Sequence, residues 1–255
     1  MLNEHQTHLR YIGGIIAATM YFGTAIAADD HWQHEVLLYM VGASIDGKVG
    51  IGNIDADVDI GFDDILDNLD FGAMLAYRGE LGPWAISADL IHLALATEKT
   101  GLGPLGNASA KADFDETTFE LAGFYSLTNR LEAYGGLRYW DLSGSVVLTL
   151  GEPLAQTITA DGSEDWIDPL VGLRFKTPLG EHWEFVARGD IGGFGIGSDF
   201  AWHTTLYAAW HPTTHTKLIL GYRYLDVDFE NGSGSDRFLW DVGQGGPTLG
   251  FGWRF

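Results

Sequence analysis

The sequence predicts an all-β fold, a transmembrane antiparallel up-and-down β-barrel. Three observations point to it. Long stretches alternate apolar and polar residues with a period of two, the repeat of a strand. Short clusters of turn residues separate these stretches. After residue 27 no apolar run is long enough for a spanning helix, which needs about 20 residues. A chain of this kind that enters lipid must close into a barrel, because only helices and closed barrels satisfy every backbone group there. The composition agrees: 35 Gly, 14 Phe, 10 Tyr and 9 Trp against only 7 Pro suit long strands.

The elements follow in order. Residues 11–27 form a run of apolar and small residues ending Ala25-Ile26-Ala27, an A-x-A cleavage pattern. Residues 1–27 are therefore expected to be a signal peptide, and residues 28–255 a single barrel domain. Wall strands are expected near 35–45, 70–79, 83–97, 111–127, 130–150, 165–177, 181–192, 198–211, 215–230 and 236–255. Phe71, Ala73, Leu75 and Tyr77 share one face of the second. Trp84, Ile86, Ala88 and Leu90 share a face of the third. Later strands repeat the pattern, as in Leu218, Leu220, Tyr222 and Tyr224 against Gly221 and Arg223. On the apolar faces Trp84, Trp183, Trp210 and Phe255 lie beside short turns, where an interfacial aromatic girdle would place them.

A partial repeat supports regular hairpins. Gly136-Leu-Arg-Tyr-Trp-Asp-Leu142 matches Gly221-Tyr-Arg-Tyr-Leu-Asp-Val227 at an offset of 85 residues. Spread over four strands, this is about 21 residues per strand with its connection, which favours ten strands, then twelve, then eight. Residues 46–69 are left on the outer side or folded into the lumen. Within them residues 62–69 read as a short helical segment. Residues 98–110 and 151–164 read as long connections. At residues 243–246 the hydrophobic phase slips between Phe238-Trp240-Val242 and Leu249-Phe251-Trp253-Phe255, which predicts a β-bulge beside Pro247.

Charge and cysteine usage exclude several functions. The net charge is −21, with 35 acidic and 14 basic residues, so nucleic acid is not an expected partner. There is no cysteine, hence no disulfide scaffold and no thiolate metal site. With 46% hydrophobic residues the chain is too apolar for a disordered segment.

The last eight residues alternate cleanly, with Leu249, Phe251, Trp253 and Phe255 on one face. Thr248, Gly250, Trp253 and Phe255 occupy the places of a polar residue, a glycine and two aromatics. This pattern resembles the C-terminal assembly signal of bacterial outer-membrane barrels. With residues 137–142, 166–175, 188–194 and 220–227, it makes the chain resemble small Gram-negative outer-membrane β-barrels of the OmpA-like class. The resemblance implies export to the bacterial outer membrane, contact with its lipid and lipopolysaccharide, and recognition by the barrel-assembly machinery. It leaves oligomeric state and function open.

Inward-facing charges form the candidate site. Arg78, Arg138, Arg174, Arg188 and Arg223 are expected to pair across strands with Asp89, Glu120, Glu132, Asp168, Glu184 and Asp190, with Arg forks bridging carboxylates. The expected result is a charge-filled lumen with a structural or envelope role, or a scaffold that presents acidic outer loops. The alternative is a narrow porin-like channel. An outer-leaflet hydrolase is the least favoured reading. Its best residues are His203 with Asp199 and Ser198, and His92, but residues four apart on a strand stand about 13 Å apart. No catalytic set, cofactor or metal site is expected. Asp55-x-Asp57-x-Asp59 begins like a calcium loop but has Ile60 at the turn glycine and Leu66 at the bidentate Glu.

Overall fold

The structure is a computed structural model that describes residues 31–102, 107–152 and 155–255. The expected signal peptide lies outside the described residues. The strands are β1 (Gln33–Val41), β2 (Ser44–Ile51), β3 (Ile54–Ile60), β4 (Leu69–Leu81), β5 (Trp84–Leu102), β6 (Ala108–Ser126), β7 (Leu131–Leu150), β8 (Gln156–Pro178), β9 (Trp183–Gly192), β10 (Phe200–Trp210), β11 (Thr216–Asn231) and β12 (Phe238–Arg254). A helical segment, α1 (Phe62–Asp67), links β3 to β4.

The strands pair antiparallel in sequence, and β1 closes the ring against β12. β1 and β2 are two segments of one wall strand, since both hold the same register on β12. They part at Gly42, opposite Pro247, which has no N–H to return the bond that Gly42 donates to it at 2.8 Å. The wall is therefore ten strands, as expected, with β3 as a short extra strand on the outer half of β2. Following the register once round from Glu35, through Arg78, Gly136, Leu170, Ala201 and Val242, returns to Gly47, twelve positions further along the same strand. An even shift keeps inward residues inward all the way round, and a stagger of this kind tilts the strands by roughly 35–45°.

One end of the barrel carries the short turns after β4, β6, β8 and β10. The other carries long hairpins. The two ends differ in the lumen as well. Near the short turns the outward face is apolar and exposed: Leu38, Leu121, Leu137, Leu173 and Leu220 are each more than half exposed. This is the inversion expected of a membrane barrel. Trp84, Trp183, Trp210, Trp253 and Phe255 ring its lower edge, and Trp183 and Trp210 stack at 6.3 Å.

Two expectations fail at the long-hairpin end. Residues 98–102, 108–110 and 156–164 are not loops. They continue β5, β6 and β8 as paired strands, Thr100 opposite Ser109 and Ser145 opposite Asp161. Their polar and hydroxyl residues signal departure from lipid, not departure from the sheet. Nor is there a bulge at 243–246. The β11–β12 register runs unbroken from Thr216 opposite Trp253 to Asn231 opposite Phe238. Trp240 and Val242 point inward with Gln244 and Thr248, and both are buried. The apolar phase changes because the outer half of the lumen is filled with apolar side chains.

Residues 46–69, whose position the sequence left open, form β2, β3 and α1 on the outer half of the wall. Asp63 and Asp64 favour the first turn of α1 through the helix dipole. Its buried Ile65 joins the outer apolar cluster, with Val58 and Ile60 packed against that cluster.

Candidate functional site: a two-layered lumen

The repeat noted in the sequence builds both layers. Gly136 and Gly221 stand four strands apart on the ring of ten. A Cβ at either would lie 2.2 Å from a backbone oxygen of the neighbouring strand, Leu121 or Leu206, so only glycine fits. Two residues further up each strand the lumen receives an arginine, Arg138 or Arg223. The next two inward residues are apolar: Trp140 and Leu142 on β7, Leu225 and Val227 on β11. All four are buried.

The charged layer is built from ion-paired clusters. Glu132 accepts from Arg78 at 2.7 Å and Arg174 at 2.8 Å. Arg78 also meets Glu80 at 2.6 Å. Arg138, with no exposed surface, bridges Glu120 at 2.7 Å and Asp190 at 2.9 Å. Arg188 pairs with Glu120 and donates to the Tyr134 hydroxyl at 2.8 Å. Tyr134 in turn donates to Asp190 at 2.7 Å, and His203 Nδ1 lies 3.0 Å from the same carboxylate. The guanidinium of Arg78 lies over the Phe124 ring at 4.6 Å, and that of Arg188 over the Tyr134 ring at 4.5 Å, adding cation–π attraction.

A second group sits on the β1 side. Arg223 reaches Asp89 at 3.0 Å, and Tyr39 donates to Asp89 at 2.6 Å while accepting from Arg223 at 2.9 Å. Tyr39→Phe removes two hydrogen bonds to charged partners. It is expected to cost about 1.5–3 kcal/mol in urea unfolding of the refolded barrel. Near the mouth Glu35 pairs with Lys217 and, at 3.4 Å, with Arg254.

The apolar layer lies above. Trp166 stacks on Phe229 at 3.8 Å and on Trp140 at 5.5 Å, and Phe114 stacks on Trp240 at 5.4 Å. With Leu142, Leu225, Val227 and Val242 these rings form one buried apolar cluster in the outer lumen. Cavities of about 130 Å³ and 50 Å³ lie below this layer. Arg223 lines both and stands between them.

Most of the predicted ladder is thus brought together: Arg78, Asp89, Glu120, Glu132, Arg138, Arg174, Arg188, Asp190 and Arg223 all pair. Two members do not. Asp168 is the register partner of Arg138 on β8, but the arginine pairs with Glu120, its register partner on β6, and with Asp190. Asp168 accepts from the indole N–H of Trp140 at 3.1 Å and of Trp166 at 3.2 Å. It also accepts from the Ser198 backbone N–H and hydroxyl, both at 2.7 Å. It is a hydrogen-bond hub of the apolar layer and holds the β9–β10 loop. Glu184 lies at the short-turn mouth among Lys176, Lys217 and Arg254, and no ion pair of the ladder includes it.

The hydrolase residues do not assemble. Ser198 is engaged by Asp168, His203 by Asp190 and Thr205, and His92 faces outward against Thr117 and Phe71. Asp55, Asp57 and Asp59 all lie exposed on β3. There Asp55 accepts from Arg237, which also binds Glu230 at 2.6 Å. Hydrogen bonds to Glu230 and then Asp55 raise the Arg237 pKa. In the predicted terminal motif, Thr248 is buried toward the lumen, while Trp253 and Phe255 lie exposed. Phe255 exchanges two 2.9 Å backbone bonds with His34 across the closing seam.

Sequence reasoning missed Glu35, Tyr39, Glu80 and Lys217. Each sits at an inward position of its strand, so strict alternation carried to the strand ends would have found them. It also missed Glu116, buried at the boundary of the layers. Its carboxylate receives Gln244 at 3.1 Å and Thr118 at 3.3 Å, and one oxygen has no partner.

No protein-family model matches the chain, and no curated protein matches it. Solved structures do. The outer membrane protease OmpT from Escherichia coli aligns over 90% of this chain and 99% of its own, with a TM-score of 0.53 and 11% identity. Ail of Yersinia pestis aligns over 88% and 98%, at 15% identity and a TM-score of 0.38. The Pseudomonas putida toluene transporter TodX aligns over 88% and 89%, at 12% identity and a TM-score of 0.38. At these identities the likeness is one of fold: the chain is a ten-stranded closed β-barrel of the type found in small Gram-negative outer-membrane proteins.

Proposed function

We propose that this protein is a non-conducting barrel of the bacterial outer membrane, with a structural role in the envelope and an acidic surface presented on the outer side. One observation carries the reading. The lumen holds two layers of inward side chains, an ion-paired one that encloses a cavity of about 130 Å³ and an aromatic cluster above it. Either would obstruct water, and a ten-strand bore is only slightly wider than the eight-strand bore that side chains fill completely.

The outer half supports the second part of the proposal. Beyond the apolar belt the outward faces turn acidic: Asp46, Asp55, Asp57 and Asp59 on β2 and β3, Asp141 on β7, Asp165 on β8, Asp228 and Glu230 on β11, Asp241 on β12. All nine are exposed. In this reading the belt contacts lipid and lipopolysaccharide. The terminal motif from Thr248 to Phe255 serves the assembly machinery.

The test is conductance of the refolded barrel in a planar bilayer, after heat-modifiable gel migration has shown it folded. No discrete steps are expected. Steps from the unmodified protein would replace this reading with the narrow-channel one.

A further inference from the structure

The loop between β9 and β10 is unlike the rest of the outer end. It reads Gly193-Phe194-Gly195-Ile196-Gly197-Ser198-Asp199 and exposes two large apolar side chains. Phe194 is 49% exposed and Ile196 is 76% exposed, the highest value of any large apolar residue described. Its backbone is held in an unusual shape. Phe194 has φ of 55°, a left-handed conformation that a bulky residue adopts only when its surroundings enforce it. Gly193 and Gly195, with φ of 82° and 69°, flank it. Hydrogen bonds enforce it. Asp168 holds the Ser198 N–H and hydroxyl, and the Gly195 N–H donates to the Ser198 carbonyl at 3.0 Å. The loop is built to keep Phe194 and Ile196 out.

Strand length says where they are kept. β9 has 10 residues and β10 has 11, against 23 for β8 and 16 for β11. A membrane-crossing strand needs about 9–11 residues. β9 and β10 therefore end where the membrane ends, whereas β8 runs on from its last rung with β9, at Leu170, for a distance on the order of 40 Å. The apolar belt leads directly into the loop: Ile191, the last outward residue of β9, is 44% exposed, and Phe200, which opens β10, is 44% exposed. The neighbouring strands turn acidic around the loop, β11 at Asp228 opposite Phe200 and β8 at Asp165, just beyond the half-exposed Ile167. An apolar tip at that height, continuous with the belt and flanked by carboxylates, fits the boundary between headgroups and acyl chains.

We infer that the β9–β10 loop inserts Phe194 and Ile196 into the acyl region of the outer leaflet, so that its occupant is lipid. The insertion pins the low side of the barrel and sets how far the β5–β8 hairpins stand above the membrane. The inference rests on the outer-membrane reading, and the experiment separates the two.

The chain has no cysteine, so single cysteines can be spin-labelled without background. Ile196→Cys and Phe194→Cys test the loop, Leu220→Cys marks the belt, and Ser235→Cys marks the outer end. Each protein is refolded into dioleoylphosphatidylcholine vesicles. Electron paramagnetic resonance then compares collision with oxygen, which concentrates in lipid, and with a water-soluble nickel chelate. The expected result is oxygen-dominated relaxation at 196, intermediate between 220 and 235. Nickel-dominated relaxation at 196 with oxygen-dominated relaxation at 220 would overturn the insertion and leave the barrel in the membrane. A label at 196 shielded from both probes would mean protein covers the loop, such as a second copy, and would also overturn it. Nickel-dominated relaxation at 220 would remove the membrane reading itself. If Phe194→Cys does not fold, Ile196→Cys carries the test alone, because its side chain makes little contact with the barrel.

Discussion

Asp168→Ala is expected to be among the most damaging single changes in the outer half of the barrel. The Asp168 carboxylate is completely buried and serves four donors. Trp166 keeps an alternative acceptor, the Ser198 hydroxyl at 2.9 Å. The Trp140 indole and the Ser198 backbone N–H have none, and the Ser198 hydroxyl keeps only the bond that it accepts from Trp166. Two orphaned buried donors at about 1–3 kcal/mol each predict a loss of roughly 2–6 kcal/mol. Asp168→Asn should cost about 1–3 kcal/mol, because one acceptor oxygen remains while the new amide faces a donor. Urea unfolding of the refolded barrel, followed by tryptophan fluorescence, measures both. Equal losses for the two variants, or an alanine loss below about 1 kcal/mol, would show that the hub contributes packing only. The same variant should release the β9–β10 loop, because Asp168 is what fixes Ser198.

The inner half of the lumen was legible in the sequence, and the outer half was not. The reason is physical. Near the short turns the two faces of each strand meet different media, lipid outside and a polar ladder inside. Apolar and charged residues therefore alternate, and Arg78, Glu120, Glu132, Arg138 and Arg223 could be read inward directly. Above Tyr139 and Tyr224 the strands leave the lipid. The outer face becomes acidic and the inner face becomes apolar, so the pattern inverts with the geometry unchanged. At Trp240 and Val242 that inversion looks like a slipped register, and a bulge was the wrong explanation. Pro247 does mark a break, but on the partner strand, between Val41 and Ser44. Asp168 shows a different limit. Register places two carboxylates beside Arg138, Glu120 on β6 and Asp168 on β8, and alternation does not choose between them. Arg138 donates twice to Glu120 and once to Asp190, which reaches it from β9. Ser198 could not be assigned at all, because its role depends on a loop whose shape follows from where β9 and β10 stop.

The charged layer predicts a different response. Arg138 bridges Glu120 and Asp190 with no exposed surface, so Arg138→Met leaves two buried carboxylates short of a partner. Breaking a buried ion pair from one side costs about 3–5 kcal/mol, because the remaining charge is uncompensated. Part of that loss should return in the double variant Arg138→Met with Glu120→Gln, which removes one of the stranded charges. The other, Asp190, keeps Tyr134, His203 and a longer contact to Arg188 at 3.6 Å. Conductance should respond differently from stability. Trp140, Trp166 and Phe229 still cross the lumen above the altered site, so the single variant should unfold at lower urea and yet pass no current. Silence from Arg138→Met is what the two-layer reading expects, since the aromatic cluster alone suffices to obstruct the lumen. Discrete steps from Arg138→Met would show that the aromatic layer does not seal by itself, and Trp166→Ala should then leave the barrel closed. Silence from each single variant, with steps only when both are combined, would show that the two layers act in series.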